Sequence, residues 1–279
     1  MIGILFESNE WSDHKLAAEL EKRGLPVVLI NLEEPGNEDR IFSCDMLVSR
    51  IFASSVFRGH DYALSRMPEL LRQIDELGIP IINPSLAHSF EISKFASTTR
   101  LGQEGFSVPA IYACDYPKWL SVLDFSYPCI IKPDCGGRAN FTAIVHSPAE
   151  AQGFLDLAPD FKFIVEEYIE PEKGYLTRVE VIGPACAFLL KRFVTESGLA
   201  SFQHGSTYAR YDNPSEALLK DCVDAARTLS FEVGSFDVIE RGDDHYFIDA
   251  NSVSNSNKGN PERIGFDLMS AYADHIASL

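Results

Sequence analysis

Short apolar runs alternate with segments of helical period over the first 83 residues, and that alternation leaves few folds open. Residues 1–6 read as a buried strand. Ser12 to Arg23 follows with Leu16, Ala17 and Leu20 at helical spacing, Ser12 or Asp13 as the N-cap and Gly24 as the stop. Pro26 to Ile30 is a second strand and Met46 to Val48 a third. A helix from about Tyr62 to Leu77 ends at Gly78, and Ile79 to Asn83 is a fourth strand. Strand-helix-strand order predicts parallel βα units, so residues 1–83 read as a small doubly wound α/β domain. No Gly-x-Gly-x-x-Gly follows its first strand, which argues against a dinucleotide binder.

Asn83-Pro84 breaks this pattern, and helix signals return from Ser89 to Glu104. Strands are expected over Ser107–Tyr112, Tyr127–Pro133, Phe141–Val145 and Phe163–Ile169, with a helix from Ser147 to Leu157 started by a capping box. Tyr175 to Gly183 and Ala185 to Phe193 form a hairpin. Pro214 to Ser230 is a helix, Gly234–Ile239 and His245–Ala250 pair across Gly242-Asp243-Asp244, and a last amphipathic helix covers about Gly265 to Ile276.

Three constellations carry chemistry. Lys132 ends a strand and is followed by Pro133-Asp134-Cys135-Gly136-Gly137-Arg138, where paired glycines let backbone N–H groups approach phosphate oxygens and Arg138 adds a charge-assisted contact. The competing reading is a hairpin turn with a surface arginine. Asp237 lies on one strand, with Asp249 and Asn251 at the end of its hairpin partner. Residues two apart share a strand face, so three oxygen side chains converge in a way that suits a hard cation. The competing reading is a solvated acidic face. Glu166-Glu167-Tyr168-Ile169 runs from a strand into a polar hinge and offers backbone groups and a carboxylate for an adenine edge and ribose hydroxyls.

In this order the signals resemble the ATP-grasp superfamily. Within it they resemble most the branch of ribosomal-protein glutamate ligases, lysine-biosynthesis carrier-protein ligases and short-peptide ligases. The resemblance covers nearly the whole chain. It implies an N-terminal α/β domain (1–83), a central lobe with the glycine loop (84–165) and a C-terminal lobe with a metal site (166–279), the two lobes grasping ATP. It implies that Lys94 and Lys132 contact the nucleotide and that Gly136, Gly137 and Arg138 belong to the loop closing on the phosphates. Glu166, Glu167 and Ile169 match the adenine hinge, Glu172 the ribose, and Arg178 and Arg192 face the γ-phosphate and acyl-phosphate. Asp237, Asp249 and Asn251 match the ligands of Mg²⁺ or Mn²⁺. His204 is a candidate for contacting substrate or deprotonating the amine, against the alternative of a surface loop histidine. The chain departs from the pattern in four places. Ala139-Asn140 replaces a further glycine, with Asn expected to tolerate the positive φ. Asp249 stands for Glu, Leu176 for an Asp, and Ser252-Val253-Ser254-Asn255-Ser256-Asn257 for a Ser-Pro-Gly-like segment.

The activity implied is an ATP-dependent carboxylate–amine ligase forming an amide through an acyl-phosphate. A kinase on the same scaffold and a nucleotide-binding regulatory protein without turnover stay open. Charge narrows the partners. With 24 Lys plus Arg against 41 Asp plus Glu, the net charge of −17 argues against nucleic acid. The least acidic stretch is 84–165 at −2, against −6 for 1–83 and −9 for 166–279. That predicts a small basic cleft in an acidic shell, and hence small-molecule carboxylate and amine substrates rather than an acidic protein tail. The longest nearly apolar run, Val181 to Leu190, falls far short of the ~20 residues that span a bilayer. The start lacks the basic flank and long apolar core of a signal peptide, and six scattered cysteines without a Cys-x-x-Cys pair read as reduced thiols, so a cytoplasmic protein is expected. A homodimer is the default for a soluble enzyme.

Overall fold

In the computed structural model, which describes residues 1–200 and 205–279, the chain begins in the middle of a parallel sheet. Strand β1 (Ile2–Phe6) leads through helix α1 (Trp11–Lys22) to β2 (Val27–Asn31), then α2 (Glu38–Phe42), β3 (Met46–Arg50), α3 (Asp61–Leu77) and β4 (Ile81–Ile82). All pairs are parallel and the order is β2-β1-β3-β4. Alternation along the strands splits the apolar side chains between two cores. Ile2, Ile4 and Val48 pack with Leu16 and Leu20 of α1, while Leu5, Ile30 and Leu47 pack with Ile41 of α2 and Met67, Leu71 and Ile74 of α3.

The start of α1 departs from expectation. Glu10, not Ser12 or Asp13, holds the N-cap position, and its side chain makes no capping bond. Ser12 and Asp13 are buried because both accept from the Arg50 guanidinium, at 2.9 Å and 2.8 Å, which removes them from capping.

The segment expected as one helix from Ser89 to Glu104 is two, α4 (Ser85–Glu91) and α5 (Lys94–Gln103). Ser93 forces the break. Its Oγ accepts from Ala96 N at 3.1 Å as an N-cap and donates to the Asp134 carboxylate at 3.0 Å, so Lys94 becomes the first residue of a new helix. A second sheet follows, built from β5 (Ile111–Asp115), β6 (Cys129–Pro133), β7 (Ala143–Val145) and β8 (Phe163–Glu167), with α6 (Pro117–Leu120) and α7 (Pro148–Leu155) on one side. It is antiparallel in the order β5-β8-β6-β7. β5 starts later than the expected Ser107. Pro109 has no N–H for a ladder, and Ser107 O accepts instead from Phe247 N at 2.9 Å.

The third sheet contains β9 (Tyr175–Ile182), β10 (Ala185–Phe193), β11 (Tyr208–Arg210), β12 (Val233–Arg241) and β13 (Asp244–Asn251), antiparallel in the order β11-β10-β9-β12-β13. α8 (Glu216–Thr228) covers one of its faces, then α9 (Asn260–Ile264) and α10 (Leu268–Ser278) complete the chain. α10 does not stay with the third sheet alone. Leu268, Met269, Tyr272 and Ile276 share one core with Ile2, Ile4 and Leu16 of the first unit and with Ile182 and Val233 of the third sheet. The fold is mixed α/β, with the first and third sheets joined by a common core.

Candidate active site

Strand alternation gives the third sheet two faces of opposite character. Val179 and Val181 on β9, Phe236 and Val238 on β12 and Ala250 on β13 pack towards α8. The intervening residues face the other way and floor a cavity of about 510 Å³: Arg178 and Glu180, Asp237, Asp249 and Asn251. Register aligns them in rows. Asp237 lies opposite Arg178 on one side and Asp249 on the other; Ser235 lies opposite Glu180 and Asn251. The expected convergence of Asp237, Asp249 and Asn251 is therefore a consequence of pairing in the β12–β13 hairpin.

Arginines grip the first of these acids. Arg192 on β10 donates through one nitrogen to both Asp237 oxygens, at 2.9 Å and 2.7 Å, and Arg178 approaches Oδ1 at 3.4 Å. Arg178 also donates from Nε to Glu180 Oε1 at 3.2 Å. Burial works against the Arg178 charge, but Asp237, Glu180 and Asp249 outweigh it and raise its pKa. Burial likewise opposes the charge of Asp249, yet Lys94, Lys132 and Arg178 hold its carboxyl below the usual carboxylate range.

Two lysines come from the roof. Lys94, placed at the first turn of α5 by the Ser93 cap, lies 3.1 Å from Asp249 Oδ1 and donates to Gly136 O at 3.0 Å. Burial pulls its pKa down, and the nearby Asp249 and Glu91 carboxylates raise it above the ordinary value, so the ammonium is charged at neutral pH. Lys132, at the end of β6, donates to Ile248 O at 2.8 Å and pairs with Glu166 at 2.7 Å.

The glycine loop between β6 and β7 is a strained turn. Asn140 N donates to Gly137 O at 3.3 Å, closing a turn whose central residues, Arg138 (φ 62°) and Ala139 (φ 56°), are both left-handed. The expectation that Asn140 would carry the positive φ is wrong by position: the closing hydrogen bond puts it at the last place of the turn. Left-handed backbone at two side-chain-bearing residues costs of order 1–2 kcal/mol each. Arg138, which pairs with Glu10 of the first unit at 2.7 Å, anchors this turn. Cys135 on the same loop is no reactive thiol, because burial pushes its pKa up to about 12. We expect iodoacetamide at neutral pH to label Cys135 roughly a hundredfold or more slower than free cysteine, read by peptide mass spectrometry.

The cavity wall thus includes Lys94, Lys132, Gly136, Gly137, Arg138, Arg178, Arg192, Asp237, Asp249 and Asn251. Four expected residues lie off it. Glu166 is fully buried as the partner of Lys132 and accepts from Thr98 Oγ1 at 3.3 Å. Glu167 pairs with Cys129 and caps the end of its strand against Ala110. Ile169 is buried behind the wall against Leu176 and Ile239, and Glu172 is exposed. His204 lies outside the described residues.

Other site residues escaped the sequence reading. Glu91, on the last turn of α4, is buried at the wall and accepts from Ala53 N at 3.1 Å and Ser252 N at 2.6 Å. Glu180 had no signal beyond its two-residue offset from Arg178. The segment after Asn251 is anchored from outside its own sheet: Arg50 donates to Ser254 O at 2.8 Å, Ser12 to Asn255 Oδ1 at 2.8 Å and Asn83 to Ser252 O at 2.5 Å. Only the fold brings these donors together.

Among the described residues no three His, Cys, Asp or Glu side chains are grouped as a metal site. The set at hand is two carboxylates and an amide. Asp249 Oδ1 is buried and engaged by the Lys94 ammonium alone, at 3.1 Å, and Asn251 Nδ2 approaches Asp249 Oδ2 at 3.5 Å. A carboxylate held by a single ammonium beside further oxygen donors fits Mg²⁺, which takes one or two carboxylates and draws its other ligands from phosphate and water. Asp237 is less available, since both of its oxygens accept from Arg192.

No family model matches the chain. It is 24% identical over 237 residues to a probable alpha-L-glutamate ligase of Marinomonas sp. (strain MWYL1), covering 83% of this chain and 76% of that protein. A RimK domain ATP-grasp protein from Sphaerobacter thermophilus superposes with a TM-score of 0.72 at 18% identity, covering 98% of each chain. D-alanine–D-alanine ligase from Bacillus anthracis, complexed with ATP, superposes with a TM-score of 0.72 at 15% identity over 99% of this chain and 95% of that one. The chain thus has the fold of these ATP-grasp structures and is similar over most of its length to a probable alpha-L-glutamate ligase.

Proposed function

We propose that this protein is an ATP-dependent carboxylate–amine ligase that forms an amide bond through an acyl-phosphate, acting on small-molecule or amino-acid substrates. One observation carries the reading. A single sheet face presents Arg178, Asp237 and Asp249 in register, with Lys94 and Arg192 converging on those acids. That arrangement matches what phosphoryl transfer demands: fixed positive charge around the transferring group and oxygen ligands for a cation that neutralises phosphate.

A carboxylate is a poor electrophile. Transfer of the γ-phosphoryl group of ATP onto its oxygen makes an acyl-phosphate and releases ADP; attack by an amine then forms the amide and releases phosphate. In our reading Lys94, Arg178 and Arg192 hold the transferring oxygens, and Lys132 with the Gly136–Arg138 loop holds the remaining phosphates. Asp237, Asp249 and Asn251 would hold Mg²⁺, or Mn²⁺ in its place, which offsets phosphate charge when bound. Leu176 and Ile248, backed by Ile169 and Ile239, line the cavity next to its Lys132 end and suit the adenine ring. Residues 1–83, 84–165 and 166–279 would act as a substrate-side α/β domain and two grasping lobes. The acidic surface supports free substrates over nucleic acid, and we place the protein in the cytoplasm as a homodimer. No helix among the described residues is long and apolar enough to cross a membrane.

A matrix of carboxylic acids and amino acids with ATP and Mg²⁺, read by phosphate release and product mass, tests the reading. We expect phosphate release only when an acid and an amine are both present, with a condensed product. ADP formation without an amine and a stable phosphorylated product would instead identify a kinase.

A further inference from the structure

The carboxylates lining the cavity are not equally engaged. Glu91 accepts at both oxygens from backbone N–H groups, and Asp237 at both from Arg192. Asp249 is paired with Lys94. Glu180 is 7% exposed, accepts at Oε1 from Arg178 at 3.2 Å, and has no hydrogen-bond partner at Oε2 among the described residues. A buried carboxylate oxygen without a donor is costly; the buried Tyr272 hydroxyl feels the Glu180 charge but makes no hydrogen bond to it, and a donor entering the cavity would satisfy that oxygen.

Position says which donor. Glu180 lies in the sheet row with Ser235 and Asn251, next to the row of Arg178, Asp237 and Asp249 and on the side away from Lys132. The nucleotide end and the Glu180 end are therefore opposite ends of one cavity. Two residues along a strand rise about 6.6 Å, so a cationic group at Glu180 stands a few bonds from a carboxylate held at Arg178 and Arg192. We infer that Glu180 binds the ammonium group of an amino-acid substrate whose carboxylate lies at Arg178 and Arg192. The inference rests on the ligase reading and names the chemistry of the acid it activates: a zwitterion, recognised at both charges. A neutral acid of the same shape would leave Glu180 Oε2 without a donor, which is the physical basis of the discrimination.

The test compares the protein amino acids with their deamino carboxylic acids, titrated by calorimetry in the presence of ADP and Mg²⁺, with phosphate release from ATP measured in parallel. Wild-type protein is expected to bind at least one amino acid tenfold or more tighter than its deamino acid, about the worth of one hydrogen bond to a charged group. Glu180→Gln is expected to erase most of that ratio while ADP affinity changes by less than about twofold, and Glu180→Asp to restore part of it. A ratio that survives Glu180→Gln, an equal weakening of ADP, or a wild-type protein that binds no amino acid overturns the inference. Amino-acid binding that depends on Glu180 without phosphate release supports the inference and removes the ligase reading. Phosphate release from an acid and an amine that Glu180→Gln leaves untouched does the reverse.

Discussion

Asp249→Ala lowers ADP release by about 10²-fold or more, the scale of losing one positioned electrostatic group in a dry site. The carboxylate stands where Lys94, Lys132 and Arg178 all act on it, and its Oδ1 lies 3.1 Å from the Lys94 ammonium. On the proposed metal reading, removing it takes a ligand from the cation, and in either case it leaves the lysines unbalanced. The two consequences separate experimentally. Metal-free nucleotide binding should hold or strengthen, because the cavity becomes more positive, whereas the Mg²⁺ concentration for half-maximal turnover should rise steeply in the milder Asp249→Asn. Near-normal ADP release by Asp249→Ala, or an unchanged Mg²⁺ requirement in Asp249→Asn, would remove Asp249 from the metal site. Because Asp249→Ala leaves the buried Lys94 without its carboxylate, the denaturant midpoint of each variant is measured beside turnover to separate loss of stability from loss of the ligand.

Arg50→Ala has the largest expected effect on stability, about 3–5 kcal/mol, read as a shift of the denaturant midpoint. Arg50 is 1% exposed, and its guanidinium donates to Asp13, Ser12 and Ser254 O. Alanine leaves the Asp13 carboxylate buried with no opposing charge, and uncompensated buried charge is what makes breaking such a pair expensive. The double variant Arg50→Met with Asp13→Leu removes both charges and should recover most of the stability, because two well-packed apolar groups replace a desolvated pair at little net cost. Turnover should not recover with it. The bond to Ser254 O ties the segment after Asn251 to β3, and no apolar side chain replaces that donor. A double variant as active as wild type would show that Arg50 serves stability alone.

Arg50 also shows where reading a sequence stops. The sequence indicates a third strand over Met46-Leu47-Val48 that stops short of Arg50, the strand in fact runs to Arg50, and the partners of Arg50 lie 37 and 204 positions away in the chain. Ser12 and Asp13 looked like helix caps because capping is a local rule; a distant guanidinium outbid that rule. Ser93 is the opposite case. Its capping bond to Ala96 is local and was readable, and overlooking it merged α4 with α5. The hinge residues were legible as a strand end, but burial decided their use. Glu166 faces inward to Lys132, and Ile169 backs the wall instead of lining it.

By itself the sequence determined what depends on neighbours in the chain: the apolar periodicities that set strands and helices, the glycine loop after Lys132, and the placing of Asp237, Asp249 and Asn251 on one hairpin face. Those follow from side-chain alternation and turn chemistry over a few residues. Tertiary structure alone decided which charges meet. Lys94 reaches Asp249, Arg192 reaches Asp237, and Glu180 keeps an unpaired oxygen in the same cavity. Coulomb energies and desolvation depend on distance through space and on burial, and neither is written in spacing along the chain.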